Sequence, residues 1–137
     1  MNTFTLRGRL GAGEKKSLVV DDGRFNHGMI VKEFHVWGLT NQSQAEMTLN
    51  IESDNAGTNF DASNSSQIGW GAQIGAVGTV SMTFFSLIDP DHVVVRDLIL
   101  NNFGTDAGNY MVILEPIDLS DDQAIMALIK EKMQDDS

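Results

Sequence analysis

The sequence predicts a mainly β protein, a single sandwich or barrel of about eight short strands, followed by one amphipathic C-terminal α-helix. Three observations predict it. Apolar runs of strand length recur along the chain, separated by clusters of Gly, Asn, Asp and Ser. Glycine is frequent (13 residues) and proline scarce (2 residues), which suits many turns and few forced breaks. The hydrophobic period is close to two until the last segment, where it becomes helical. With 137 residues, 42% of them apolar, the chain suits one domain around one core.

The elements follow in order. NTFTLRGRL (2–10) sets Phe4, Leu6 and Leu10 against Thr3, Thr5, Arg7 and Arg9, the pattern of a half-buried strand. GAG (11–13) breaks it, EKKSLVV (14–20) makes a second strand, and DDGR (21–24) supplies a turn dipeptide, Asp22-Gly23. GMIVKEFHVWG (28–38) is the third. AEMTLNIES (45–53) alternates Ala45, Met47, Leu49 and Ile51 with Glu46, Thr48, Asn50 and Glu52, the cleanest amphipathic strand in the chain. Residues 54–66 read as a polar loop. QIGWGAQI (67–74) and GTVSMTFFSLI (78–88) lean to β structure. HVVVRDLIL (92–100) is nearly continuous in apolar residues, as expected of one strand buried on both faces. NNFGTDAGN is a turn-rich loop, and YMVILEPI (110–117) is the eighth strand.

From Ser120 the period changes. Ser120 followed by Gln123 is a capping box, and Asp121 and Asp122 suit the positive end of a helix dipole. Ile125, Leu128, Ile129 and Met133 fall on one face of a helix of about 14 residues, roughly 20 Å long. The expected division is therefore a sandwich over 1–119 and a helical arm over 120–134. That apolar stripe has to be buried, on the arm's own sandwich or on another subunit.

The chain carries a net charge of −10, unevenly spread. Residues 1–32 hold six basic and three acidic side chains, a net +3, and the remainder holds three basic and sixteen acidic ones, a net −13. Acidity of this kind serves solubility first, and it disfavours nucleic acid as a partner. The basic start, Arg7 and Arg9 above all, suits an acidic partner surface. Cysteine is absent, which excludes disulfides and thiolate metal sites and is compatible with synthesis in a reducing cytoplasm. The N-terminus lacks the apolar core of a signal peptide, and no apolar run reaches the roughly 20 residues that span a bilayer.

Chemistry-bearing clusters are few. DPDH (89–92) puts two carboxylates and an imidazole in four residues. Its Asp-Pro-Asp order also matches a type I turn, and neighbouring strand side chains point to opposite faces, so the turn is the stronger reading over a weak Ca²⁺ site or a catalytic pair. His35 shares a strand face with Glu33 and Trp37, a spacing open to acid–base work but more often a solvated or interface face. His27 sits in a loop. Asp54, Asn55, Asn59 and Asp61 offer oxygen ligands without the spacing of an EF-hand. No nucleophile elbow, zinc helix motif, phosphate loop or dinucleotide fingerprint is present. The expectation is a protein without catalytic residues, cofactor or metal. Trp37 and Trp70 are either packing residues or a sugar-stacking platform. Phe60, an aromatic in a polar loop, is expected to anchor on its own domain or on another chain.

Two stretches, GAGEKKSLVVDDGRFNHGMIVKEFHVWG and LIDPDHVVVRDLIL with NYMVILEPIDLSDDQAIMALIKEKMQDD, resemble short virion structural proteins of marine bacteriophages and their metagenomic relatives. The resemblance covers most of the chain outside residues 41–80. It implies a jelly-roll sandwich and a capsid cement or decoration protein, made in the bacterial host cytoplasm and resident in the virion. It further implies association with a major capsid protein and with copies of itself, a trimer being the first arrangement expected. Subunit contacts are then expected from Ile125, Leu128, Ile129 and Met133 on the helix, with Phe60, Arg7 and Arg9. The competing expectation is a carbohydrate- or receptor-binding sandwich of a phage fibre. It calls for an exposed Trp37 or Trp70 with polar neighbours.

Overall fold

The computed structural model describes residues 3–18, 27–51, 59–75, 82–94 and 97–118. These form nine strands: β1 (Phe4–Leu10), β2 (Lys15–Leu18), β3 (His27–Gly38), β4 (Gln44–Asn50), β5 (Gln67–Gly75), β6 (Met82–Ile88), β7 (Val93–Val94), β8 (Leu98–Asn102) and β9 (Gly108–Asp118). They build two antiparallel sheets, β1-β9-β3-β7 and β2-β8-β4-β5-β6, called here A and B. The sequence-based expectation of a mainly β sandwich is met. The helical arm over 120–134, with Ile125, Leu128, Ile129 and Met133, lies outside the described residues, as does the DDGR turn.

The pairing is nested. β1 pairs with β9, β2 with β8, β3 with β7 and β4 with β5, so the chain doubles back as one long hairpin wrapped around the core. β6 is added outside β5. The inner faces meet through Phe34, Met47, Leu49, Leu100, Val112 and Leu114, each fully buried. Alternation in the sequence sets these faces. Leu6 and Leu10 of β1 face in while Arg7 and Arg9 face out, and Ala45, Met47, Leu49 and Ile51 all line the core.

Two register shifts adjust the pattern. Between Val31 and Glu33 the β3–β9 ladder carries a bulge. Met29 and Val31 point inward before it, and Phe34 and Val36 after it. One extra residue therefore swaps odd for even positions and keeps the apolar side chains inside. A second shift between Leu49 and Asn50 interrupts the β4–β5 ladder.

One expectation is corrected. The apolar run 92–100 is not a single strand. Val93–Val94 pairs with β3 in sheet A, and Leu98–Asn102 pairs with β2 and β4 in sheet B. The run is apolar because it lines both layers in turn, which raises the count from about eight strands to nine.

The inner face of β5 is nearly bare. Gly69 and Gly71 sit so close to sheet A that a Cβ on Gly71 would lie 2.8 Å from Val36 Cγ2 and 3.2 Å from Phe34 Cε2. The missing side chains let the sheets approach here, and the Ser86 hydroxyl of β6 donates to the Phe34 carbonyl of β3. Gln73 continues the same face. Its Oε1 accepts from the Gly38 N–H at 2.9 Å and its Nε2 donates to the Thr40 carbonyl at 2.6 Å, tying the β3–β4 connection to β5. Asn102 plays the matching part at the end of β8. Its Nδ2 donates to the Leu10 and Asp106 carbonyls, both at 3.1 Å, and its Oδ1 accepts from the Gly104 N–H at 3.0 Å.

Candidate interaction surfaces

The DPDH segment forms a turn. The Asp91 N–H donates to Asp89 Oδ1 at 3.1 Å, an Asx turn, and His92 is buried as the chain enters β7. Among the described residues no group of three or more His, Asp or Glu is arranged to hold a metal ion. Glu33 and His35 do meet, Oε1 to Nε2 at 3.1 Å, on the outer face of β3 with both side chains about half exposed. The pair lies on the exposed face of sheet A.

Residues 59–66 fold back over the outer face of sheet B. Gln67 fastens them: its Nε2 donates to the Asn59 carbonyl at 2.9 Å, and its Oε1 accepts from the Asp61 N–H at 3.0 Å and from Trp70 Nε1 at 2.8 Å. Asp61 closes the inner turn by accepting from the Ser63 hydroxyl at 2.6 Å and the Ser63 N–H at 3.0 Å. The hydroxyl bond first, then the N–H bond, hold the Asp61 carboxyl below its ordinary value of 3.8. Phe60 sits edge-on to Phe85 at 5.0 Å and to Phe103 at 4.9 Å. Ala72, fully buried, occupies the register position between Glu46 and Phe85 and leaves room for the ring. Phe60 thus anchors within its own domain. Thr48 and Asn50, expected on the wet side of β4, are fully buried, and Asn50 Nδ2 donates to the Thr48 hydroxyl at 2.9 Å.

Sheet A is different. Its outer face presents Arg9, Asn109 and Trp37 in one cross-strand row, and Arg7, Met111 and His35 in the next. Three strands and two rows span about 10 Å by 7 Å. Trp37 is 38% exposed and borders a shallow hollow of about 400 Å³ with Arg7, Arg9 and Asn109. Among the described residues no carboxylate pairs with Arg7 or Arg9. Lys32 is paired further down the face, to Glu115 at 3.5 Å. The sheet brings together Arg7, Arg9 and Trp37, which the sequence had singled out separately. Asn109, expected in the NNFGTDAGN loop but part of β9, and Met111 went unnoticed because nothing in the sequence marks which residues stand beside an arginine.

Trp37 also lines a second hollow with His35 and Phe84, at the border between β3 and β6. Phe84 is 53% exposed and Leu87 62%, on a strand that ends sheet B. No protein-family model matches the chain, and no curated protein matches it.

Proposed function

We propose that this chain is a non-enzymatic virion structural protein, a cement or decoration subunit of a bacteriophage capsid. It binds a major capsid protein and further copies of itself, without a cofactor. The observation that carries the reading is the nested strand order. The sheets β1-β9-β3-β7 and β2-β8-β4-β5 have the order of a jelly roll, with β6 as an addition. Jelly rolls recur in viral coats and in lectins. The outer face of sheet A supports the reading as well: it presents exposed Trp37, Arg7 and Arg9 beside half-buried Met111, and Trp, Arg and Met are enriched where proteins meet. In this reading residues 1–119 are the sandwich and 120–134 the arm that docks on a neighbour. The test is to band virions from the infection that produces the protein on a density gradient and quantify it by mass spectrometry. A fixed ratio to the major coat protein that survives repeated banding is the expected result. Absence from banded particles refutes the reading.

A second reading, a carbohydrate-binding module of a phage fibre, is favoured by one specific observation: Trp37 is exposed between Arg7, Arg9 and Asn109. An indole offers a stacking surface for a sugar ring, and two guanidiniums select a carboxylated or sulfated one. Binding of an acidic oligosaccharide that is lost in Trp37→Ala, with an unchanged thermal melt, would move weight to this reading.

A further inference from the structure

We infer that in the free subunit the C-terminal arm lies back along the outer face of its own sheet A, with Asp135 and Asp136 set against Arg7 and Arg9. The arm is outside the described residues; the face it covers is not. Odd positions of β9 turn outward, and from 111 to 117 they read Met111, Ile113, Glu115 and Ile117, all half-buried. In register with Glu115, Ile30 of β3 and Val93 of β7 add two more half-buried apolar side chains. The outer face of an antiparallel sheet is ordinarily polar when it meets water. An apolar stripe down the middle strand of this one calls for a cover.

Position, length and charge select the cover. β9 ends at Asp118, and the arm's capping residue is Ser120. Leu119 and Ser120 therefore connect strand to helix, a length usual where a helix packs on the sheet it leaves. A helix of 14 residues reaches back about 20 Å. That is about six strand residues at about 3.3 Å each, from Asp118 to the level of Val112. Ile125, Leu128, Ile129 and Met133 then pass over Ile117, Ile113 and Met111. Asp135 and Asp136 come level with Arg7, the register partner of Met111, and close to Arg9. Among the described residues no carboxylate pairs with either arginine, and the hollow of about 400 Å³ that both border has room for two. The short connection holds the arm beside its own sheet at an effective concentration of about millimolar order, which a neighbour in dilute solution does not match. The inference concerns the subunit in solution and does not rest on the virion reading, in which the arm passes to a neighbour on assembly.

The chain has no cysteine, so engineered thiols report without background. The whole chain carrying Met111→Cys and Met133→Cys is treated, at about 1 µM, with a bis-maleimide that spans about 10 Å, the spacing of packed layers. Intact mass is expected to show a monomer with its two thiols joined. The pair Leu87→Cys and Met133→Cys, which tests sheet B, is expected to stay unjoined. Joined dimers or trimers place the arm on a neighbour and overturn the inference. So does a control pair that joins as readily, or a first pair that does not join. Hydrogen exchange supplies a second measurement should a cysteine variant fail to fold. In the otherwise unaltered monomer the amides of 123–133 are expected to exchange at least 10-fold slower than in an unstructured chain. Arg7→Glu with Arg9→Glu should speed them at least 3-fold, and adding Asp135→Lys with Asp136→Lys should restore the slow rate. Unprotected amides, or a loss that the reversed charges do not repair, count against the arm lying there.

Discussion

Replacing Gly71 with alanine tests why the two sheets meet where they do. The new methyl would lie 2.8 Å from Val36 Cγ2 and 3.2 Å from Phe34 Cε2. Comfortable carbon contacts are about 3.5–4.0 Å, so the first is short by roughly 1 Å. Retreat is resisted, because Ser86, opposite Gly71 on β6, is hydrogen-bonded to the Phe34 carbonyl. Overpacking of this size costs about 1–3 kcal/mol. The loss of glycine's freedom in the unfolded chain returns about 0.4–1 kcal/mol. The expected net destabilisation is therefore about 0.5–2 kcal/mol, a fall in Tm of a few °C for a domain of this size. Val36→Ala removes the obstructing Cγ2 and should cost about 2 kcal/mol on its own through the cavity it leaves. In the double variant the alanine methyl occupies that cavity, so the combined loss is expected to be smaller than the sum by about 1 kcal/mol or more. Urea denaturation of the four proteins of this cycle measures it. Additivity within about 0.5 kcal/mol, or a stabilised Gly71→Ala, would refute close sheet contact as the role of this glycine.

Other outcomes can be checked on the same material. Gln73→Leu strands the Gly38 N–H and the Thr40 carbonyl, and should cost about 2–3 kcal/mol, read as a lower urea midpoint at unchanged m value. Phe60→Ala removes both edge-on ring contacts and should cost about 1–2 kcal/mol, with faster amide exchange in 59–66 and unchanged exchange in sheet A. Asp61 has a depressed folded-state value, so its contribution to the 59–66 turn is present above 3.8 and is lost as pH falls below that value through the folded one. The Ser63 amide resonance should report a midpoint under 3.8, and Asp61→Asn should remove the transition.

Where the sequence spoke through simple alternation, it was legible. Leu6 and Leu10 of β1, Ala45, Met47 and Leu49 of β4, and the shared outer face of Glu33, His35 and Trp37 on β3 can be read directly. The run 92–100 misleads because both of its halves are apolar, Val93–Val94 in one layer and Leu98–Leu100 in the other, and the charged pair Arg96–Asp97 between them in sequence is the signal that reading missed. Thr48 and Asn50 mislead too. Asn50 Nδ2 donates to the Thr48 hydroxyl and to the Ile99 carbonyl of β8, and which strand lies beside β4 does not declare itself in sequence. The sheet A patch was visible in parts, as two arginines and a tryptophan. Their proximity depends on β9 lying between β1 and β3, which is a matter of topology rather than pattern.

That placement of β9 has a consequence for how the molecule is made. β1 and β3 are not paired with each other in sheet A; each is held by β9, the last in sequence of the described strands. Close to 100 residues separate Leu10 from its partner Gly108, which at about 5–20 residues per second is roughly 5–20 s of waiting. Throughout that interval sheet A has no middle, whatever hairpins sheet B has already formed. A chain cut short ahead of β9 can never supply one. The strand order therefore ties the completion of sheet A to translation through Asp118.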